Sequence, residues 1–378
     1  MQESEGKYAG TVSTGLNIKP ADECQLDLLA LGEVMLRFDP GEGRIASAKD
    51  FRVWEGGGEY NVARGLRRCF GLRTSIATAL VDNPIGRLIE DLMLQGGVDL
   101  SHVRWTGFDG VGTQARNGIY FLERGFGVRP GLGMMDRGHT AISQLKPGEV
   151  NWDGIFGRQG GRQGVRWFHT GGIMAALSES ATEVVIEAMV SARKHGVAVS
   201  FDCNYRPSLW KSRGGRLKSI EVNRSLMPMV DVLFGHEGDL ARNLGESSHG
   251  PVWHTTTTFR EMARRVFEEF PNLKVLASTT RRPRTASRNG WSGFAYAEGV
   301  AYEGISLDDL EVLDRVGGGD SFASGFIYGL MKGKGVQWAL DCGVAHGALT
   351  MTTAGDSSFA SLREVEQVMA GGSATTAR

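Results

Sequence analysis

The chain has 378 residues, with 42 basic and 43 acidic side chains and a formal net charge of −1 at pH 7. This length allows one large α/β domain or two ordinary ones, and it is ample to bury a sizeable core. Because the charges nearly cancel, nothing in the composition indicates a nucleic-acid or membrane-surface partner, and we expect neither.

Cysteine content and hydropathy indicate the compartment. Four cysteines lie far apart without a CxxC motif, which argues against a disulfide framework or a zinc site and favours a reducing environment. The first residues contain no apolar signal-peptide core, and no run of about 18 apolar residues occurs. We therefore expect a cytoplasmic protein without a membrane segment.

Short apolar runs alternate with helical periodicity along most of the chain. The runs predicted as strands lie at 26–36, 74–80, 165–171, 197–202, 230–235 and 273–279. Several segments between them have helical spacing, and one of these, "ATEVVIEAMVSARKHG", ends at a glycine. Strands that alternate with helices predict an α/β fold with a central, mostly parallel sheet covered by helices on both faces.

Two segments interrupt this alternation, at 38–56 and at 106–130. They are rich in glycine, arginine and aromatic residues and contain strand-like fragments without a helix signal. We interpret them as a small β-sheet lid, and the alternative is two long surface loops. The predicted organisation is a loose N-terminal extension at 1–25, one α/β domain at 26–370 and a flexible tail at 371–378.

The stretch "DRVGGGDSFASG" combines three glycines with a carboxylate at the predicted start of a helix. Unpaired N–H groups and partial positive charge at a helix start favour an anion, and Gly317, Gly318 and Gly319 let the backbone approach it closely. Asp320 would repel a phosphate unless it served as the base for an attacking hydroxyl. This combination is typical of phosphoryl transfer.

Other interpretations of this stretch are weaker. Asp320 as a plain N-cap residue stays open as the structural alternative. A dinucleotide-binding fingerprint fails because its third glycine would fall at Phe322, and a Walker A loop fails because no GK[ST] follows.

A second glycine cluster, "WEGGGEYNVARGLRRCFG", precedes another predicted helix. Gly57 and Gly58 allow close backbone approach, and Asn61 adds a side-chain amide, so the cluster suits a polyhydroxylated ligand. The alternative is a glycine turn that only starts the helix.

The two glycine clusters, in this order and about 260 residues apart, resemble the two signatures of the ribokinase (PfkB) family of carbohydrate kinases. The resemblance implies a ribokinase-like α/β sheet with a β lid, Asp320 as the base, and Gly317, Gly318 and Gly319 as the anion hole. It also implies sugar contacts from Gly57, Gly58 and Asn61. ATP and Mg²⁺ are the implied cofactors, with a monovalent cation left open, and many relatives form homodimers through the lid.

Within this family, "FDCNYRPSLW" resembles the D-x-N-Y-R-P-x-L-W segment of 2-keto-3-deoxygluconate kinases. That resemblance implies that Arg206 meets the substrate carboxylate, since a guanidinium can bond both carboxylate oxygens. "MMDRGHTAIS" resembles another substrate loop and adds Arg137, with Met135 where a tyrosine is common. The alternative for Arg206 is a structural arginine that satisfies carbonyl groups near a strand end.

Three departures from the family pattern concern the predicted site. Arg37 stands where many relatives have an acidic residue; this cation either favours an acidic substrate or pairs within the lid. The segment "GHEGD" replaces the common N-E-E-E, so that His236 and Asp239 are the predicted nucleotide contacts. The strand that carries Thr279, a third predicted nucleotide contact, continues into the basic sequence "RRPRTASRNG".

The histidines predict no metal site, and His169 is interpreted as a structural residue at a strand end. The sequence thus predicts an ATP-dependent kinase for a 2-keto-3-deoxygluconate-type sugar acid. The alternatives are a kinase for a neutral ketose such as fructose and a kinase-fold protein that binds a sugar acid without turnover.

Overall fold

The computed structural model describes residues 8, 14–236, 238–240, 245 and 255–372. Residues 1–7 and 9–13 of the predicted N-terminal extension and residues 373–378 of the predicted tail lie outside the described residues. The division of the chain into one kinase unit with terminal extensions stays a prediction.

The strands belong to two separate sheets. In chain order they are β1 Cys24–Leu31, β2 Met35–Asp39, β3 Arg52–Gly56, β4 Thr74–Asp82, β5 Val103–Gly107, β6 Ile119–Glu123, β7 Leu132–Asp136, β8 Arg158–Gln159, β9 Arg162–Gly171, β10 Ala198–Asp202, β11 Val232–Phe234, β12 Val275–Thr285, β13 Arg288–Ala297, β14 Val300–Glu303 and β15 Leu307–Glu311.

Helices cover the large sheet and connect most of its strands. The α-helices described in full are α1 Gly58–Arg68, α2 Pro84–Gly96, α3 Trp152–Phe156, α4 Gly172–Ala176, α5 Glu179–Lys194, α6 Pro207–Lys211, α7 Gly215–Leu226, α8 Thr256–Glu269, α9 Gly318–Met331, α10 Val336–Thr350 and α11 Leu362–Met369.

The large sheet has the order β14-β13-β12-β11-β10-β9-β1-β4-β5, with β15 on β13 and β8 on β9. In this order the seven neighbouring strands between β12 and β5, inclusive, are parallel. Strands β13, β14 and β15 add antiparallel pairs at one edge. The predicted mostly parallel α/β sheet is confirmed.

Alternating side chains of the buried strands fill a separate core on each face of the sheet. Phe168 and Phe201 belong to the core on one face, whereas Trp167 and Phe234 belong to the core on the other. Burial on both faces explains why these strands read as continuous apolar runs instead of alternating patterns.

The apolar run at 26–36 was predicted as one strand, and that prediction is wrong. The chain leaves the large sheet after Leu31, and Met35 starts β2 in the small sheet. Both parts are buried, so their composition does not mark the break between them. The break places Glu33 at the carboxyl end of β1.

The small sheet has the order β3-β2-β6-β7 and forms the predicted lid sheet, so the alternative of two surface loops is wrong. Its strands lie within residues 35–56 and 119–136. The sheet therefore extends beyond the predicted segments at 38–56 and 106–130. On one face of this sheet Phe38, Phe51 and Phe121 pack together, with ring centroids 5.1 to 6.0 Å apart.

Among the described residues no helix is long and apolar enough to cross a membrane. All four cysteines are buried, and none forms a disulfide bond. His169 is buried in β9, where its Nδ1 lies 2.8 Å from Ser200 Oγ, and burial lowers its pKa to about 3. It is therefore a neutral core residue.

Candidate active site

A cleft of about 1050 Å³ opens at the carboxyl ends of the parallel strands, beneath the small sheet. Open α/β sheets commonly bind ligands at this edge, because the loops that leave the strands meet there. Both glycine clusters line the cleft, although they lie about 260 residues apart in sequence. The fold thus brings the two predicted motifs together.

The C-terminal glycine cluster forms the tight turn that leads into helix α9. Gly317 has a left-handed φ of 79°, and a Cβ there would lie 1.7 Å from the carbonyl oxygen of Asp356, so only glycine fits. Gly318 and Gly319 form the first residues of the helix, whose early N–H groups have no partner within the helix. A Cβ on Gly319 would meet no protein atom within 4 Å, so the space beside it is open.

Asp320 is the third residue of helix α9 and faces the same cleft. The Asn61 side-chain amide donates a hydrogen bond of 2.7 Å to Asp320 Oδ2. Burial raises the pKa of Asp320 from 3.8 to about 7, against the effect of the Asn61 hydrogen bond. A carboxyl group with this pKa can take up and release a proton near neutral pH.

Two further carboxyl groups lie near Asp320. Burial raises the pKa of Glu59 to about 8, and the negative charges of Asp320 and Asp202 contribute. Burial also raises the pKa of Asp202 to about 6, with a contribution from the charge of Asp239. Clustered carboxyl groups with displaced pKa values are typical of functional sites.

The N-terminal glycine cluster lies directly opposite Asp320. A Cβ on Gly57 would lie 1.9 Å from the carbonyl oxygen of Glu33, so the backbones at this junction require glycine. Gly58 starts helix α1, and its Cβ position is 3.6 Å from Asp320 Oδ1. Asn61, whose role as a sugar contact stays a prediction, donates its side-chain hydrogen bond to Asp320 in this structure.

The two predicted carboxylate-binding arginines differ in their pairing. Arg206 is exposed in the cleft, and the one side-chain hydrogen bond described for it, 3.3 Å long, goes to the neighbouring Tyr205 carbonyl oxygen. Arg137 Nε donates a hydrogen bond of 2.8 Å to Glu33 Oε2, and its Nη2 lies 2.6 Å from the same oxygen in an ion pair. Sequence reasoning missed Glu33, whose only signal was its position beside the unrecognised strand break.

The predicted nucleotide contacts also line the cleft. Thr279 belongs to β12, while His236 and Asp239 follow β11; all three line the cleft. His236 accepts a backbone hydrogen bond of 3.3 Å from Gly238 through Nδ1. Glu237 lies outside the described residues.

Arg37 does not line the cleft. Its side chain is completely buried and donates to Asp39 and Asp356 at 2.7 Å and to Asp314. Tyr120 donates a further hydrogen bond to Asp356. Of the two alternatives for Arg37, this geometry favours pairing. The pairs tie lid strand β2 to Asp314, just before the glycine turn, and to Asp356, whose backbone packs against Gly317.

The comparisons with known proteins agree with this architecture. The sequence model of the pfkB family carbohydrate kinases matches residues 163–362. The chain is 30% identical over 349 residues to a 2-dehydro-3-deoxygalactonokinase from Haloferax volcanii, covering 92% of this chain and 98% of that protein. It is 27% identical over 361 residues to a 5-dehydro-2-deoxygluconokinase from Geobacillus thermodenitrificans, covering 93% and 96% respectively.

Solved structures give the same result. A 2-dehydro-3-deoxygluconokinase from Thermotoga maritima has a TM-score of 0.83 and 32% identity, with 92% of this chain and 98% of that chain covered. A putative 2-keto-3-deoxygluconate kinase from Enterococcus faecalis has a TM-score of 0.78 and 25% identity, with 94% and 99% covered. The chain therefore belongs to the pfkB family of carbohydrate kinases, as its two glycine motifs predicted.

Proposed function

We propose that this kinase transfers the γ-phosphoryl group of ATP to a hydroxyl group of a 2-keto-3-deoxy sugar acid. The observation that carries the proposal is that one cleft contains both the Asp320 carboxyl group, at the glycine turn, and the exposed Arg206 side chain. The first provides a base beside an anion site, and the second provides a cation for an acidic acceptor. The names of the relatives from Haloferax volcanii and Thermotoga maritima support the same class of acceptor.

In the proposed reaction Asp320 accepts the proton of the attacking hydroxyl group. The hydroxyl oxygen forms a bond to the γ-phosphorus while the bond from that phosphorus to the bridging oxygen breaks, and the electron pair leaves with ADP. The N–H groups of the turn at Gly317, Gly318 and Gly319 stabilise the charge on the transferring group. Asn61 orients the Asp320 carboxyl through its 2.7 Å hydrogen bond.

The acceptor occupies the side of the cleft beneath the lid. Gly57 and Gly58 allow its hydroxyl groups to approach the backbone, and Asn61 stays a proposed sugar contact. Arg206 binds the carboxylate. Arg137, held in place by Glu33, offers its remaining N–H groups to the acceptor.

The nucleotide occupies the opposite side, with His236, Asp239 and Thr279 as its proposed contacts. Mg²⁺ is commonly bound through one or two carboxylates together with substrate phosphates, and Asp239 and Asp202 are cleft carboxylates that fit this requirement. When bound there, Mg²⁺ would neutralise part of the polyphosphate charge. Among the described residues no group of three His, Cys, Asp or Glu side chains is placed to bind a metal ion without other ligands.

An ATP-coupled assay tests the proposed function. The panel contains 2-keto-3-deoxygluconate, 2-keto-3-deoxygalactonate, 5-keto-2-deoxygluconate, gluconate and fructose, each measured with and without K⁺. The highest kcat/KM is expected for a 2-keto-3-deoxy acid. Preference for fructose would support the neutral-ketose alternative, and binding of an acid without ATP consumption would support the alternative without turnover.

The Gly319→Ala variant tests the anion site and should introduce little strain into the backbone. The added methyl group meets no protein atom and favours the helix, so thermal stability should be equal or higher. The methyl group enters the space beside the helix start, and turnover should fall by roughly 10²-fold, as when an oxyanion donor is lost. The matched variant is Gly318→Ala, whose methyl group points at the flexible Met351 side chain 3.1 Å away and should cost much less activity. A fully active Gly319→Ala enzyme would contradict the anion site.

A homodimer through the lid is also proposed. One face of the small sheet carries Phe38, Phe121 and Met134 at paired positions, and Met134 is 48% exposed. An apolar face of this kind favours association. Light scattering should give about twice the chain mass of 40.9 kDa. Met134→Glu should give monomers, whereas Leu217→Glu, at a position 80% exposed outside the lid, should not. A monomeric wild type would refute the proposal.

A further inference from the structure

The hairpin of β12 and β13 carries four arginines, and three of them pair with acidic residues of β15. Arg282 lies 2.6 Å from Asp308, Arg288 lies 2.5 Å from Asp309, and Arg284 lies 3.8 Å from Asp309. These three arginines are exposed, and their pairing gives them a structural role on the hairpin surface.

Arg281 differs from its three neighbours. Side chains alternate between the two faces of a strand, so Arg281 shares the face of Thr279 and Pro283, which both line the cleft. No ion pair or side-chain hydrogen bond joins Arg281 to another described residue. It is thus a cation directed into the cleft without a carboxylate partner.

Arg315 presents a second unpaired cation to the same cleft. It lies between Asp314 and the glycine turn, and its side chain is exposed and forms no ion pair or hydrogen bond with another described residue. Both side chains line the same cleft, and desolvation, followed by the charge of Arg315, lowers the pKa of Arg281. Two cations that repel each other beside a helix start, itself partly positive, would be stabilised by an anion with several charges.

The position of the two arginines indicates which anion they would bind. Arg206 interacts electrostatically with Asp320 on the acceptor side, whereas Arg281 shares strand β12 with the proposed nucleotide contact Thr279. Arg315 is two residues from Gly317, where the transferred phosphoryl group is proposed to lie. The pair therefore faces the donor side of the glycine turn.

We propose that Arg281 and Arg315 form a two-arginine clamp for the terminal phosphates of the nucleotide donor, an inference that rests on the proposed kinase function. Planar guanidinium groups bond phosphate oxygens in pairs, so the clamp fixes the polyphosphate relative to the glycine turn. It also stabilises the negative charge that develops on the departing diphosphate as the phosphoryl group moves to the acceptor.

Titration calorimetry with ATP, ADP and AMP tests the clamp in Arg281→Ala, Arg315→Ala and the wild type. Each variant should bind ATP about 10- to 100-fold more weakly, since hydrogen bonds between charged groups are lost, while AMP binding should change little. The KM for the sugar acid should stay near the wild-type value. Arg281→Lys should recover only part of the ATP affinity, because an ammonium group lacks the planar fork.

The matched control is Arg282→Ala, which removes the same charge from the same strand on its opposite face. It should bind ATP within about threefold of the wild type, which is below one hydrogen bond to a charged group. Wild-type ATP affinity in both cleft variants, or an equal loss for ATP and AMP, would overturn the clamp. A wild type that phosphorylates no acceptor and binds no nucleotide would instead overturn the proposed function.

Discussion

The Asp320→Asn variant is expected to turn over about 10²–10⁴-fold more slowly than the wild type, the usual range for loss of a general base. The amide preserves the shape of the carboxyl group beside the glycine turn, but it cannot accept the proton of the attacking hydroxyl group. The measurement is steady-state kcat with saturating ATP and sugar acid. KM values should change much less than kcat, because the proposed ligand contacts stay in place.

Glu59→Gln provides a matched control for removing a carboxyl group from this site. Glu59 is buried with a pKa of about 8, so it is mostly neutral at pH 7, and glutamine reproduces that neutral form. Turnover of the control should stay within several-fold of the wild type. Near-normal turnover of Asp320→Asn would refute the assignment of Asp320 as the base.

The pH profile gives an independent test of the same assignment. A base must be ionised in the free enzyme, and the pKa of Asp320 is about 7. The kcat/KM value should therefore rise about tenfold per pH unit below pH 7 and reach a plateau above it. A profile that is flat between pH 5 and 8 would contradict the role.

Stability should depend on pH in the opposite sense. The folded-state pKa of Asp320 lies above its ordinary value of 3.8, so its contribution to stability is complete below about pH 4 and is lost as the pH rises to about 7. Asp320→Asn has no such loss. The thermal midpoint of this variant, relative to the wild type, should therefore be higher at pH 8 than at pH 5.

Features of the site that depend only on residues close together in the sequence were predictable. A glycine cluster followed by helical periodicity specifies a tight helix start locally. Both predicted helices are present, and they begin within the glycine clusters, at Gly58 and at Gly318. The parallel sheet was predictable for the same reason, since each buried strand and each amphipathic helix shows its own period.

Contacts between distant parts of the chain were not predictable in this way. Arg37 and Asp356 are 319 residues apart, and no local pattern marks them as partners. The pairing of Glu33 with Arg137 depends on the strand break near Gly32, which lies inside a continuous apolar run because both sheets bury their strands there. Only the folded chain shows which arginines of the cleft are paired.

Arg206 is the residue that we propose selects an acidic acceptor, and Arg206→Ala should therefore raise the KM for the 2-keto-3-deoxy acid strongly. Loss of one partner from a desolvated charge pair typically costs about 2–5 kcal/mol. This range corresponds to about 30-fold to several thousand-fold in affinity. The measurement is kcat/KM for the acid and for fructose, with the wild type and the variant.

Two comparisons separate binding of the carboxylate from a structural role. Activity with fructose, which has no carboxylate, should change much less than activity with the acid, and Arg206→Lys should restore the acid only in part, because an ammonium group lacks the planar fork. The Arg206 side chain is exposed, and its one described hydrogen bond is to the adjacent carbonyl group. Its removal should therefore cost the fold little stability. Equal losses with both acceptors would make Arg206 structural and would favour the neutral-ketose kinase.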